Sequence, residues 1–452
     1  MQIVIVGDGK VGLLLTQKLT AEEHNVTVVD NDSKVLEHTL SEYDAFTVHG
    51  HGASQRVLTE AKADTADLLI AATSSDEVNL LSCLIARKMG CKSTIARVRS
   101  LEYSEDIKLL REELGLSMVV NPEEACAREI FRLLQFPSFL AREQFAKGQV
   151  EIVRIKLSKD SPLIGLPLAN LRRAAKVNVL ICAVDRDGEV TIPHGDFVLR
   201  EGDEIFVTAA SLNLAQLIKN LGLSSHKVTH VTIVGGSLLA YYLAQMLLNS
   251  GVAVKIIEKN AVRCRFLSEH LPSADIVEGD GTDRDTLLSE GVDRSDALVS
   301  LTNIDEENIV LSTYVRQLGI RTTITKCNRD QYADMFRQMG LGSVVSPKLT
   351  VTEDIVRYVR AMDNSVGGQM VTLHQIAGGK AEALEFRADE TSKVLDIPLS
   401  DLNLQQGILI AGISRGHKTI IPNGSSTIRL GDAVVVVTTC NRRVCDLNDI
   451  LA

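Results

Sequence analysis

The 452-residue chain is too long for one core, and at 45% hydrophobic and 23% charged it carries apolar material for several. Tryptophan is absent and aromatics make up only 4%, so the cores are aliphatic, as in parallel sheets covered by helices. A net charge of −10 argues against a nucleic-acid binder and against a polybasic lipid anchor.

From the N-terminus, short apolar runs at residues 3–6, 26–29, 45–48, 68–72 and 94–98 read as buried strands. Residues 16–23, 33–41, 54–61, 77–89 and 103–114 read as the helices between them. Strand–helix alternation predicts a parallel sheet with right-handed crossovers. After Asn121-Pro122 a helical stretch runs from Glu123 to about Lys147, which Pro137 kinks or divides into two helices. The pattern then changes. Val153, Ile155 and Leu157 alternate with Arg154 and Lys156, and residues 179–184 and 189–192 flank the turn Asp185-Arg186-Asp187-Gly188. With a strand at 204–208 they make a small β-rich domain, followed by a linker at Ser224-Ser225-His226. The second half repeats this plan. The expected limits are 1–122 for the first sheet domain, 123–147 for crossover helices, 148–224 for the first small domain, 228–365 for the second sheet domain and 370–452 for the second small domain.

The repeat is visible at one constant offset between the two halves. There Val48-His49-Gly50-His51-Gly52-Ala53 meets Val277-Glu278-Gly279-Asp280-Gly281-Thr282, Thr73 meets Thr302, Asp76-Glu77 meets Asp305-Glu306 and Asn79 meets Asn308. Ile192-Pro193-His194-Gly195 matches Ile421-Pro422-Asn423-Gly424 in the same register.

The eight cysteines contain no C-x-x-C, and the ten histidines form no H-x-x-x-H, so reduced core thiols and no metal site are expected. The chain opens directly into a strand, and no apolar run approaches the ~20 residues of a membrane helix. A cytosolic location follows as the expectation, with any membrane role exerted through a docked partner.

The first strand runs into Gly7-Asp8-Gly9-Lys10-Val11-Gly12, a G-x-G-x-x-G loop before a helix. Gly7 permits the tight turn, Gly9 the approach of a pyrophosphate, and Gly12 close packing of helix on strand, while the helix N-terminus offers N–H groups to phosphate. Asp30 ends the second strand, at the spacing past Gly12 where a ribose-binding acid belongs, and Asn31 follows it without an arginine. Lys10 stands where an ammonium meets a β- or γ-phosphate. Thr73-Ser74 ends the fourth strand and Arg97 the fifth, at the carboxyl edge where open sheets bind ligands. The second loop, Gly235-Gly236-Ser237-Leu238-Leu239-Ala240, puts a Cβ at the close-approach position and loses the lysine. Glu258, Asp280, Thr302 and Lys326 hold the positions of Asp30, His51, Thr73 and Arg97, so a second pocket is expected to bind more weakly, differently or not at all.

Two tandem units, each with a glycine loop, a later acid and a small β-rich domain, resemble the RCK or KTN regulators of potassium transport, in their single-chain, double-unit form. The resemblance covers essentially the whole chain. It implies an α/β fold of two Rossmann-like, doubly wound parallel sheets, each followed by an RCK C-terminal α+β domain. It also implies binding of NAD(H) and of ATP or ADP. The implied assembly is a homotetramer docked on the cytoplasmic face of the inner membrane, under a TrkH-like integral membrane potassium transporter or channel subunit. Two departures stand out: His51 replaces the acid kept as Asp280, and Ser237 breaks the second loop. A dehydrogenase is the rival reading, with His49 or His51 handling a proton. A nucleotide sensor acting on partners away from the membrane is the third.

Overall fold

Six short strands build the first sheet, all parallel: β1 (Gln2–Val6), β2 (Asn25–Asp30), β3 (Ala45–His49), β4 (Leu68–Ala71), β5 (Ser93–Arg97) and β6 (Met118–Val120). Their spatial order is β3-β2-β1-β4-β5-β6. Order reverses between β1 and β4, which opens a crevice at their carboxyl ends. The crossovers are α1 (Lys10–Ala21), α2 (Ser33–Glu42), α3 (Gln55–Glu60), α4 (Asp76–Met89), α5 (Leu101–Glu105) and α6 (Ile107–Glu113). The first helix starts at Lys10, earlier than its apolar periodicity indicates, because the loop glycine Gly9 is itself the N-cap. β6 is a strand that the sequence pattern did not reveal. The computed structural model describes residues 1–135, 141–157, 159–171, 176–210, 213, 216, 217, 220, 228–320, 322–329, 343–365, 370–416, 418–439, 444 and 446–452.

The helix expected over residues 123–147 is shorter. α7 covers Pro122–Gln135, and Ala141–Phe145 is instead a strand, β7, paired antiparallel with β8 (Val150–Lys156). Pairing with a neighbour decides this segment over its local pattern, as often happens at strands. Pro137 and its expected kink lie outside the described residues, as do the linker at 224–226, Cys440 and Cys445. β9 (Val179–Arg186), β10 (Glu189–Thr191) and β11 (Glu204–Ala210) complete an antiparallel sheet ordered β10-β9-β11-β8-β7. At its hairpin, Asp187 and Gly188 both take positive φ, as a two-residue turn between twisted strands requires.

The second half repeats both sheets. β12 (His230–Val234), β13 (Ala253–Glu258), β14 (Asp275–Glu278), β15 (Ala297–Ser300), β16 (Thr322–Lys326) and β17 (Ser343–Val345) follow the order β14-β13-β12-β15-β16-β17. Helices α8 (Leu238–Asn249), α9 (Ala261–His270), α10 (Arg284–Ser289), α11 (Asp305–Gln317) and α12 (Pro347–Ser365) accompany them. The last sheet contains β18 (Met370–Ile376), β19 (Ala381–Arg387), β20 (Ile408–Arg415), β21 (Lys418–Ile420) and β22 (Ala433–Thr439), ordered β18-β19-β22-β20-β21.

The chain divides into two compact units. One contains Met1–Phe131 and Val228–Val356, which hold the two parallel sheets; the other contains Arg132–Lys227 and Arg357–Ala452, which hold the two antiparallel ones. The sheet cores are aliphatic, built on residues such as Val4, Val29, Leu69 and Ala96 in the first repeat and Val234, Ile257 and Leu298 in the second. Six described cysteines are buried free thiols. Among the described residues, no helix is long and apolar enough to cross a membrane.

Candidate functional site

A cavity of about 920 Å³ opens at the carboxyl edge of the first sheet. Gly7, Asp8, Gly9, Lys10, Val11, Asp30, Asn31, His51, Thr73, Ser74 and Arg97 all line it. Gly12 sits beneath the loop instead, where an added Cβ would fall 1.9 Å from the Gly7 carbonyl oxygen. Gly7 takes φ +97°, and its N–H donates to the Val29 carbonyl, which closes the turn on β2. Gly9 caps α1 without any side-chain hydrogen bond, so the first-turn N–H groups remain available to an anion.

The acid is held ready for a ligand. Asp30 accepts the Asp8 N–H on Oδ2 at 2.6 Å and the Asp32 N–H on Oδ1 at 2.9 Å, which fixes the carboxylate and leaves lone pairs for ribose hydroxyls. Asp8 accepts from the Thr39 hydroxyl at 2.5 Å, while its Oδ1 is buried without a partner among the described residues. Burial, and then the neighbouring Asp30, push the Asp8 carboxyl above its ordinary range.

The fourth and fifth strand ends are stapled by Asn79. Its Oδ1 accepts from the Thr73 N–H and hydroxyl at 2.8 and 2.7 Å, and its Nδ2 donates to the Thr73 and Arg97 carbonyls at 3.2 and 2.9 Å. Asp76 accepts the N–H groups of Arg99 and Ser100. The repeated D-E-x-N segment is therefore a clamp that shapes the pocket wall. Asn308 and Asp305 make the equivalent contacts in the second repeat. Among the described residues Arg97 donates to the Ala72 and Thr73 carbonyls, at 3.4 Å each, and its Nε has no partner; burial lowers its pKa. A half-buried guanidinium so loosely held is well suited to an incoming phosphate.

Lys326 is placed differently from its sequence-based assignment. It lines the first cavity rather than the second, together with Ser237, Asn303, Asn328 and Lys348 of the second repeat. Its ammonium is buried, 3.3 Å from Asn303 Oδ1, and burial lowers its pKa. The first cavity is thus walled by both repeats, and its cations Lys10, Arg97, Arg99, Lys326 and Lys348 come from both.

The second cavity, about 800 Å³, is lined by Gly235, Gly236, Ser237, Glu258, Asp280 and Thr302. Glu258 repeats the role of Asp30, accepting the Gly236 and Asn260 N–H groups at 2.6 and 2.8 Å. Ser237 caps α8 by accepting the Ala240 N–H at 3.4 Å, which occupies a donor that phosphate would use. Its cations are Lys259 and Arg263; the Arg263 Nε donates to the Gly236 carbonyl, its guanidinium lies 4.3 Å from the Phe266 ring centroid, and its Nη2 is buried without a partner among the described residues. The change from Asp280 to His51 has a structural explanation. Asp280 accepts the Thr282 N–H, and His51 Nδ1 accepts the Ala53 N–H at the same point of the loop.

Family models of the TrkA-N domain match residues 3–122 and 231–347, and models of the TrkA-C domain match residues 152–222 and 383–442. The chain belongs to the TrkA family. The Trk system potassium uptake protein TrkA of Halomonas elongata is 32% identical to it, covering 99% of this chain and 98% of that protein. A TrkA homolog of Methanosarcina mazei is 31% identical, over 96% and 97% respectively. Among solved structures, a GsuK channel superposes with a TM-score of 0.64 at 20% identity, covering 97% of this chain and 77% of that one. A GsuK channel bound to NAD gives 0.63 at the same identity and coverage. At that identity the likeness establishes the fold.

Within this TrkA-family chain, sequence reasoning missed Arg99, Glu123, Asn328 and Lys348 in the first cavity and Arg263 with Phe266 in the second. Arg263 carried a usable signal, since it sits in the first turn of the helix that follows the Glu258 acid. The others follow strand ends by a short stretch of chain, and only the fold turns them inward. Asp8 gives a test of the electrostatics. Its folded pKa is raised, so its penalty is absent below the unfolded value and complete above the folded one. Asp8→Asn therefore raises the melting temperature at pH 7, keeps the Thr39 hydrogen bond, and strengthens binding of anionic nucleotides. Melting curves at pH 7 and pH 3 check this, with the difference vanishing at the lower pH.

Proposed function

We propose that this chain is a cytosolic, nucleotide-sensing regulatory subunit that gates a TrkH-like membrane potassium transporter or channel subunit and catalyses no reaction itself. The observation that carries the reading is the first cavity. An uncapped helix N-terminus, a pinned acid and loosely held cations from two repeats meet there. This set of groups suits adenine nucleotides, NAD(H) or ATP and ADP, with Asp30 on the ribose and Lys10, Arg97 and Lys326 on phosphate. Solved GsuK structures include forms bound to NAD and to ADP, and the similar proteins are named for potassium uptake. Both histidines that a dehydrogenase would use are engaged with loop backbone: His49 with the Asn31 carbonyl and His51 with the Ala53 N–H.

Domain limits of 1–122, 148–224, 228–365 and 370–452 go with this reading, as does a homotetramer held at the cytoplasmic face of the membrane by its partner. A protein without chemistry acts only through different ligand affinities in two conformations. The test is rubidium flux through the reconstituted membrane partner across titrations of ATP, ADP, NAD and NADH. Flux should change about 5- to 150-fold with the effective nucleotide, and Asp30→Ala should abolish the response. Flux indifferent to every nucleotide in the wild type overturns the proposal.

A further inference from the structure

The two small domains are duplicates, yet the contacts that join them are not. Their strands align in one register: Ala146–Gly148 and Ala377–Gly379 are matching turns, and β7 on β8 repeats as β18 on β19. Counting from those turns, Glu143 is the counterpart of His374, Arg154 of Glu385, and Gln149 of Lys380. Matching faces meet about an approximate dyad and share one core, to which Phe145, Val150 and Ile152 contribute from the first domain and Ile376, Ala381 and Val437 from the second.

On this dyad a position faces its own counterpart. Glu143 Oε2 lies 2.5 Å from His374 Nδ1, and His374 is 8% exposed and edge-on to Phe145, with ring centroids 4.7 Å apart. Glu385 reaches across to accept the buried Ala146 N–H at 2.9 Å, and also holds the Thr372 hydroxyl at 2.8 Å. Its counterpart Arg154 turns away and pairs with Glu204 of its own domain. Gln149 donates to the Gly416 carbonyl at 3.0 Å, and Lys380 donates to the Gly188 carbonyl at 2.5 Å, so each domain grips the other's hairpin turn.

We infer that these mismatched contacts select the partner: the first small domain accepts the second small domain of the same chain and rejects a like domain from another copy. A duplicated face has three possible pairings. First with first would set Glu143 against Glu143 and offer Arg154, a donor, to the Ala146 N–H, leaving that buried group unsatisfied. Second with second would set His374 against His374, which can share at most one N–H···N bond and loses the carboxylate partner that Glu143 supplies. Of the two pairings open to the first domain, only the mixed one sets an imidazole against Glu143 and a carboxylate against the Ala146 N–H, and the covalent link between the domains keeps that partner at high effective concentration. Repulsion between unwanted partners is a recognised route to specificity. Copies of the chain must then assemble through other surfaces.

Two measurements on the full chain test this. In the first, Glu143→His and His374→Glu each place like groups on the dyad, and each should lower the melting temperature of the small-domain pair by about 2–4 °C. The double swap E143H/H374E should recover more than half of that loss. Additive losses overturn the inference. In the second, a carbodiimide joins Lys380 to Asp187 or Glu189 beside Gly188. One copy carrying Lys380→Arg is co-expressed with another carrying Asp187→Asn and Glu189→Gln, so that the cross-link forms only between chains. Wild type should cross-link within the chain and the co-expressed pair not at all. Cross-linking of the pair at the wild-type level overturns the inference even where the swap variants fail to fold.

Discussion

Gly9→Val should eliminate measurable nucleotide binding in the first cavity, a loss of at least about 100-fold, while leaving the ligand-free protein folded. The prediction rests on two features of that glycine. Its φ is −75°, which any L-residue adopts, and a Cβ built on it meets nothing within 4 Å. The space a side chain would enter is therefore the space a phosphate would fill. Weaker helix capping is the main cost to the apo protein, because valine is a poor N-cap and glycine a fair one. Gly9→Ser separates the effects further. It copies Ser237, so it should cap α1, raise the melting temperature of the empty protein, and still weaken nucleotide binding by occupying the donors phosphate needs. Calorimetric titration with ATP and NADH, run beside ligand-free melting curves, measures both. Undiminished affinity in Gly9→Val would remove the glycine loop from the binding site.

Gly12 shows why such substitutions are not equivalent. A Cβ there would strike the Gly7 carbonyl, so its replacement deforms the loop whether or not ligand is present. The second repeat carries Ala240 at that position and has no Asp8 equivalent, since Gly236 stands there.

Much of the fold was legible because local signals agreed with one another. Apolar runs of strand length, glycine and acid at matching offsets, and a single register held between the two halves of the chain all pointed to paired parallel sheets with small β domains. Elements fixed by distant partners were not legible. β7 has no convincing pattern of its own and is a strand because β8 offers it an edge. The pocket followed the same division. Gly7, Gly9, Lys10 and Asp30 belong to one strand–turn–helix unit, and local spacing brings them to one cavity. Asp76 and Asn79 were visible as a repeat, but their function as backbone clamps needed the β4 and β5 ends side by side. Lys326 was assigned to the wrong cavity because reading one repeat at a time cannot reveal a wall contributed by the other.

That reassignment yields the second large effect. Lys326→Met should weaken polyphosphate nucleotides in the first cavity by roughly 10- to 150-fold, the equivalent of losing one charge-assisted hydrogen bond of about 1.5–3 kcal/mol. Adenosine, which brings no phosphate, should bind as it does to wild type. Stability should move the other way. The ammonium is buried among long contacts to the Leu301 carbonyl and Asn303, at 3.4 and 3.3 Å, and burial already disfavours its charge. A methionine of similar length fills the space without that desolvation cost, so the empty protein should melt no lower than wild type. The assignment to a cavity is tested by combination. In a Gly9→Val background the first cavity is already closed, so Lys326→Met should change nothing further in nucleotide binding. If it weakens the remaining binding there, Lys326 serves the second cavity after all, and the two repeats do not share the first one.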